Sequence, residues 1–261
     1  MENQRAQAIP TPGKLYLVPA PLDFGCELQT PLQDVMPLGA LKAAAQLSHW
    51  VCENAKSARA YLKRIHLVSP LVHTLQSLQI QELPHQVHKK GDHTGDFDAR
   101  YLLSPALLGH DMGLLSEAGM PAVADPGSSV VRAAHELGIA VLPLVGPVSL
   151  LLALAASGMN GQSFSFVGYL PLGSGERGAR IRELEALVLK TGQTQLLIET
   201  PYRNQVLLQA LLQNLHPNTR LAVSSALTLG QGINRSDSIQ KWKLKPTALD
   251  NTLPAVFAIG R

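Results

Sequence analysis

Two short stretches carry residue types and spacings suited to holding a small ligand. The first is Gly113-Leu114-Leu115-Ser116-Glu117-Ala118-Gly119-Met120-Pro121, continuing to Asp125-Pro126-Gly127. An apolar strand that ends in small residues and turns sharply exposes backbone N–H groups at its carboxyl end, which is where open α/β sheets bind ligands. Taken alone, Ser-Glu-Ala-Gly is a weak signal, because Gly and Ser serve any strand-to-loop turn. The second stretch, Leu144-Val145-Gly146-Pro147-Val148-Ser149, leads from a strand into an apolar helix, with Pro147 suited to the first helical position. The start of such a helix offers unpaired N–H donors and a positive dipole end to a carboxylate. An ordinary strand-to-helix turn would have the same sequence.

The elements that must position these loops follow a regular alternation. Apolar, β-rich runs at 14–18, 65–68, 112–115, 140–144, 163–167, 194–198, 220–223 and 254–259 are each followed by a turn and a helical pattern. Apolar residues recur at helical spacing over 38–47, 128–137, 148–156, 180–189 and 203–215. This is the sequence form of βαβ units around largely parallel sheets, so the expected class is α/β. A polar segment, 1–12, is expected to be disordered. The break at Gly158-Met159-Asn160-Gly161-Gln162 predicts two domains, 13–160 and 161–261. A further loop is expected at Gly173-Ser174-Gly175-Glu176.

Composition narrows the class. With 261 residues, 46% of them apolar, the chain can fill the cores of two modest domains. The N-terminus lacks the apolar run of a secretory signal, and the longest apolar run, 148–156, is far short of the roughly 20 residues that cross a bilayer. Cys26 and Cys52 form neither a C-x-x-C pair nor a disulfide framework, which fits a reducing cytoplasm with both thiols as packing residues. Residues 161–261 hold 11 Lys and Arg against 6 Asp and Glu, whereas 1–160 hold 11 against 13. Arg177, Arg180 and Arg182, with Lys241, Lys243 and Lys245, are therefore candidates to meet RNA phosphates. A solvated helix face and strand is the plainer reading of the same residues.

Taken together, in this order and spacing, the motifs resemble the tetrapyrrole methylase family of S-adenosylmethionine-dependent methyltransferases. The resemblance is strongest to the branch that methylates a ribose 2′-hydroxyl of small-subunit ribosomal RNA. Leu15-Tyr16-Leu17-Val18-Pro19-Ala20-Pro21 is similar to that branch's opening strand, and Ser116 to Pro121 with Asp125-Pro126-Gly127 to its Ser-Asp-Ala-Gly-Thr-Pro and Asp-Pro-Gly pair. Val145-Gly146-Pro147 matches its Pro-Gly-Pro turn, Glu199-Thr200-Pro201-Tyr202-Arg203 its Glu-Ser-Pro-His-Arg, and Phe166-Val167-Gly168-Tyr169-Leu170-Pro171 its entry into the second domain. The resemblance implies two α/β domains with mostly parallel or mixed sheets, S-adenosylmethionine in the cleft between them, and a homodimer. It implies cofactor contacts from Pro19, Pro21, Ser116, Glu117, Ala118, Gly119, Met120, Pro121, Gly146, Pro147, Val148, Ser149, Glu199, Pro254 and Ala255.

The chain also departs from that branch. Pro21-Leu22-Asp23-Phe24 stands for Pro-Ile-Gly-Asn. Glu53-Asn54-Ala55-Lys56 stands for Glu-Asp-Thr-Arg, losing a carboxylate and exchanging Arg for a Lys without the planar fork. Ser225-Ala226-Leu227-Thr228-Leu229 stands for Arg-Glu-Leu-Thr-Lys and removes every charge, and Glu117 replaces Asp in the cofactor loop. Leu253-Pro254-Ala255-Val256 looks more like the small-molecule members. The acceptor is thus left between an RNA ribose and a small molecule.

The implied reaction is in-line displacement at an already activated methyl, which alignment and water exclusion can drive with little side-chain chemistry. An alcohol acceptor benefits from a base, and Glu53, Asp125 and Glu199 are the matched carboxylates. For Glu199 the rival role is to cap the helix from Arg203. His85, His88 and His93 with Asp92, Asp96 and Asp98 fit no ordered zinc spacing, so no metal is expected. A rival from another class is a non-catalytic paralogue that binds the cofactor or its product as a sensor or partner module, motivated by Asn54, Ala226 and Leu229. A dinucleotide enzyme is disfavoured, since no Gly-x-Gly-x-x-Gly follows the first strand.

Overall fold

The computed structural model describes residues 11–23, 25–90, 92 and 95–261, without the side chains of 88–90. The expected disordered segment, apart from Thr11 and Pro12, lies outside them. The protein is α/β and its chain divides into two compact units. One holds residues 11–21 and Pro31–Pro147, and the other Leu22–Thr30 and Val148–Arg261.

The first unit is built on five parallel strands: β1 (Leu15–Val18), β2 (His49–Cys52), β3 (Gln79–Glu82), β4 (Met112–Leu115) and β5 (Val141–Pro143). Their order is β3-β2-β4-β1-β5. Side chains alternate between the faces of the sheet. Val18, Trp50, Cys52 and Leu115 pack with the helices Leu38–Ala45 and Ala55–Val68. Leu15, Val51, Met112 and Leu114 pack on the other face with the helix Ser128–Glu136. The fully buried Trp50 lies across Gly113, its register partner, so closely that a Cβ there would sit 2.4 Å from the indole ring.

From β1 the chain runs past β4 to β2, and from β4 it runs past β1 to β5. Neighbouring strands thus send their connections in opposite directions, the switch-point arrangement at which open α/β sheets carry ligand loops. The loops after β1, β4 and β5 are those singled out from the sequence.

The second unit holds a mixed sheet of β6 (Phe164–Phe166), β7 (Thr194–Glu199), β8 (Arg220–Ser225), β9 (Ile233–Ser238) and β10 (Ala255–Gly260) in the order β6-β7-β10-β8-β9. β10 runs antiparallel to both neighbours. The helices Ser174–Thr191, Asn204–Asn214 and Ile239–Leu244 cover one face around Leu197, Val223, Trp242 and Phe257. The helix Ser149–Ser157 covers the other, with Leu150, Ala153 and Leu154 against Leu196, Ala222, Val256 and Ala258.

That packing explains why the division precedes the charge shift near 160. The apolar helix belongs to the second core, although its own residues carry no charge to announce it. Three local expectations are corrected. The run 65–68 is the last turn of the helix Ala55–Val68, whose inner face Ala58, Tyr61, Leu62 and Ile65 keeps helical spacing. Residues 174–176 are helical, since the helix starts at Ser174. Pro147 stands two residues before the first helical position, because the helix starts at Ser149 behind Val148, whose carbonyl accepts from the N–H groups of Leu151 and Leu152. Among the described residues, no helix is long and apolar enough to cross a membrane.

Candidate functional site

Three loops at the carboxyl ends of neighbouring strands are joined through their main chains. Ala20 N–H donates to Gly119 O (2.8 Å) and Gly119 N–H to Ala20 O (3.0 Å), so the loop after β1 is zipped to the loop after β4. Leu144 N–H donates to Leu17 O, and Gly146 lies so near Pro19 that a Cβ on it would sit 2.2 Å from the ring carbon Cγ. The Tyr61 hydroxyl donates to Pro19 O at 2.9 Å and fixes the proline from below. The backbone of Gly119 is therefore occupied by Ala20, whereas the N–H groups of Ala118 and Met120 have no partner among the described residues. Pro19, Pro21, Ser116, Glu117, Ala118, Gly119, Met120, Pro121, Gly146 and Pro147 all fall in this first unit.

A group of carboxylates lines the same loops. Glu53 follows β2, and its Oε1 accepts from Glu117 N–H at 3.3 Å. Glu117 Oε1 accepts from the Ser57 hydroxyl at 3.1 Å. Burial, then the neighbouring charge of Asp125, pushes the Glu53 carboxyl up to about 7. Burial, then the charge of Glu117, pushes Asp125 up to about 6 against a hydrogen bond from Ser116. The charges acting on both groups are other carboxylates, so these loops carry negative potential at neutral pH and suit a cationic ligand.

Asn54, the departure that seemed to cost a carboxylate, caps the helix Ala55–Val68. Its Oδ1 accepts from Lys56 N–H (2.9 Å) and Ser57 N–H (3.1 Å). Asn and Asp serve this position equally well, so the local fold survives the exchange.

Asp92 is a residue that sequence reasoning missed. It is buried, and one oxygen accepts from Gly127 N–H (2.9 Å), Ser129 N–H (2.9 Å) and the Ser129 hydroxyl (2.6 Å), while the other accepts from the Ser128 hydroxyl at 2.7 Å. Burial raises its carboxyl, but these hydrogen bonds outweigh it and hold the group below the usual range. Asp92 thereby fastens the Asp125-Pro126-Gly127 turn, where Gly127 adopts φ +133°. The same loop holds Ala122 (φ +65°) and Ala124 (φ +66°) in the left-handed region, which costs an L-residue roughly 1–2 kcal/mol. The only sequence signal for Asp92 was a carboxylate upstream of a Gly-Ser-Ser helix start. Asp98 pairs with Arg100 at 2.7 Å, and His93 lies outside the described residues.

The remaining expected residues belong to the second unit. Val148 and Ser149 open its apolar helix, with no side-chain cap. Glu199 ends β7 and is nearly sealed from solvent. Its Oε1 accepts from Thr200 N–H (2.9 Å) and the Thr200 hydroxyl, and its Oε2 pairs with Arg203 at 3.0 Å. These contacts hold Glu199 against Thr200 and Arg203, but they are not the expected helix cap: neither the turn Pro201–Arg203 nor the helix Asn204–Asn214 has a side-chain cap. Ala255 stands between Glu199 and Ser225 across three strands, and Pro254 O accepts from Ala226 N–H at 3.0 Å. The uncharged stretch after β8 holds Ala226 (φ +52°) and Thr228 (φ +71°), and the buried Thr228 hydroxyl has no partner among the described residues. Both cysteines are free thiols. Cys52 is buried in the first core, which pushes it up to about 12 and makes it inert.

The family model of the tetrapyrrole (corrin/porphyrin) methylases matches residues 34–232. A ribosomal RNA small subunit methyltransferase I of Vibrio cholerae is 34% identical over 137 residues, 52% of this chain and 46% of that protein. The protein of the same name from Mesorhizobium japonicum is 29% identical over 221 residues, 85% of this chain and 66% of its own. The chain thus spans between about half and two thirds of these curated relatives. Among solved structures, the methyltransferase CobJ aligns with a TM-score of 0.56 at 17% identity, covering 95% of this chain and 94% of its own. A uroporphyrin-III C-methyltransferase of Thermus thermophilus aligns at 0.50 and 19% identity with the same coverage.

Proposed function

The chain belongs to the tetrapyrrole methylase family, and from that premise we propose that it transfers a methyl group from S-adenosylmethionine, with an RNA ribose 2′-hydroxyl as acceptor. The observation that carries the reading is the loop assembly of the first unit. Two loops zipped at Ala20 and Gly119 leave the N–H groups of Ala118 and Met120 without a partner among the described residues, beside Glu53 and Asp125, on which the acting charges are other carboxylates. S-adenosylmethionine bears a net positive charge, which such a set of groups suits, while backbone donors suit its carboxylate and ribose oxygens. The sulfonium supplies an already activated methyl group.

The chain's own part is to hold and to accept a proton. The backbone from Ser116 to Met120 with Gly146 would bind. Asp92 and Tyr61 keep the flanking turns in place, and Pro121 and Pro147 restrict them. Glu53 and Asp125, with carboxyls near neutrality, are placed in the range where a general base works best. Glu199, tied to Arg203, is assigned a structural role. RNA is favoured over a small-molecule acceptor because the curated relatives are named for ribosomal RNA. A cytoplasmic homodimer completes the reading, and light scattering checks the assembly.

The test is calorimetric titration with S-adenosylmethionine and with S-adenosylhomocysteine, followed by transfer of labelled methyl to small ribosomal subunits. Binding near micromolar, about −8 kcal/mol, with label in ribose is the expected result. Binding without transfer to RNA or to tetrapyrroles would favour the non-catalytic paralogue. No binding of either compound would sink the reading.

A further inference from the structure

We propose that the second unit carries a sequence-independent docking surface for RNA phosphates, built from the edge strand β9 and the helix Ile239–Leu244, with Lys241, Lys243 and Lys245 as its contacts. The inference rests on the RNA reading above for the identity of its occupant. The surface lies beyond the residues matched by the family model, which end at 232.

A hollow of about 520 Å³ opens between the strand and the helix, and Arg235, Asp237, Lys241, Leu244 and Lys245 line it. The end of a helix is ordinarily a poor place for an anion, because its last carbonyls present partial negative charge. Here Arg235 cancels that charge. Its guanidinium stacks on the buried Trp242 at 3.9 Å and donates to Lys245 O (2.5 Å), Lys241 O (3.1 Å) and the Thr247 hydroxyl (2.7 Å). Arg235 is consumed in holding the helix end, and the lysines are displayed by it. Asp237 is the one acid lining the hollow, 3.6 Å from Lys241 and 4.0 Å from Arg235. Lys241, Lys243 and Lys245 are all exposed; Lys241 and Lys245 line the hollow, Lys243 stands outside it, and Ile239 and Trp242 anchor the helix in the core.

The three arginines of the helix Ser174–Thr191 present the contrast. Arg177 donates to Leu172 O, Arg180 pairs with Glu183, and Arg182 donates to Asn214. In the lysine group Lys241 is paired with Asp237, while the Lys243 and Lys245 ammonium groups have no partner among the described residues and are left to meet a ligand. The hollow offers aliphatic rather than exposed aromatic walls, so it suits a backbone and not stacked bases, and its binding is expected to be insensitive to sequence.

The experiment is fluorescence anisotropy of the full chain with a fluorescein-labelled RNA hairpin bearing single-stranded flanks, between 50 and 200 mM salt. The Lys241→Ala, Lys243→Ala, Lys245→Ala triple variant is compared with the parent and with Arg180→Ala. The expected result is at least a tenfold loss of affinity in the triple variant. The slope of log affinity against log salt should also become shallower by about 2 to 3, as three phosphate contacts disappear. Arg180→Ala should bind like the parent. A triple variant that binds as tightly as the parent, or a parent that does not bind RNA, overturns the proposal. Titration of both proteins with S-adenosylmethionine separates the two readings. Cofactor binding kept in the variant alongside lost RNA binding supports both. RNA binding that depends on the lysines in a parent that ignores the cofactor supports the surface and overturns the methyltransferase.

Discussion

The buried Glu199 of the second unit and the half-buried Glu53 and Asp125 of the first are treated in opposite ways. In the second unit Glu199 is given a cation, Arg203, and two donors from Thr200, so its charge is compensated. In the first unit Glu53 and Asp125 face mainly other carboxylates, and both are pushed toward neutrality. The first arrangement serves stability. The second costs stability, and under the proposed function a cationic cofactor supplies the missing positive charge.

Removing a charge should therefore have opposite signs in the two places. Arg203→Ala leaves Glu199 buried without its partner and is expected to destabilise the protein by about 3 kcal/mol, read by urea unfolding. Glu53→Gln removes a repelled carboxylate while keeping a group that can accept from Glu117 N–H. It should leave stability unchanged or raise it by up to about 1 kcal/mol at pH 8, and weaken S-adenosylmethionine binding. Equal losses in both variants would break the contrast.

Close packing separates the units in a second way. A methyl at Gly146 meets the ring of Pro19 at 2.2 Å, and Pro19 is held by Tyr61, so Gly146→Ala must move the loop after β1. We expect a loss of about 2 kcal/mol, the usual cost of overpacking, and loss of cofactor binding. A methyl at Gly260 meets the side chain of Met159 at 2.6 Å, and a flexible thioether can give way, so Gly260→Ala should cost less than about 1 kcal/mol. Calorimetric melting and cofactor titration on both variants compare them directly.

The pH dependence carries a definite sign. Glu53 and Asp125 have folded values near 7 and 6, above their unfolded values near 4. Between pH 4 and 7 the folded protein binds more protons than the unfolded chain, so these two groups make stability rise as pH falls from 8 toward 5. Melting temperatures across that window should show the rise in the parent and less of it in Glu53→Gln. Cofactor binding should run the other way. The preference for cationic S-adenosylmethionine over its uncharged product should grow as pH climbs through 6 to 7, and a constant ratio would remove the electrostatic part of the site.

Much of this was legible in the sequence where pattern and position coincide. The strands β1, β4, β7, β8 and β10 are buried apolar runs, and the loops after β1, β4 and β5 announced themselves through Gly, Pro and Ser. Three strands escaped: β2, an interior strand of only four residues just behind the helical pattern 38–47, and the edge strands β3 and β9. β3 reads Gln-Ile-Gln-Glu and β9 reads Ile-Asn-Arg-Ser-Asp-Ser, because a strand paired on one side only need not be apolar. In the site, Glu53 and Asp125 were found through motif resemblance, but their environment was not readable, since it depends on burial first, then on the charge of Asp125 at Glu53 and of Glu117 at Asp125, which only the fold brings together. Asp92 escaped because its partners lie 35 to 37 residues away. The pairing of Glu199 with Arg203, four residues apart, was within reach, but the sequence offered a helix cap in its place, which the structure does not form.

The smallest expected effect concerns backbone strain, which both units hold. Ala122 and Ala124 in one, and Ala226 and Thr228 in the other, occupy left-handed conformations that an L-residue adopts at a cost. Replacing Ala122 by Gly removes that cost but frees the unfolded chain, and the two terms nearly cancel, leaving a gain of about 0.5 kcal/mol. The consequence for binding should be larger than for stability. The loop from Met120 to Gly127 is fixed by Asp92 at one end and zipped through Gly119 at the other, and alanine narrows what lies between. Ala122→Gly should therefore raise the melting temperature slightly while weakening S-adenosylmethionine binding a few-fold. Ala226→Gly should raise stability by a similar amount with no change in affinity, if the strain after β8 only turns the chain into β9. A loss of cofactor affinity in Ala226→Gly equal to that in Ala122→Gly would mean that relieving strain weakens binding through the fold in general, and not through the shape of the loop from Met120 to Gly127.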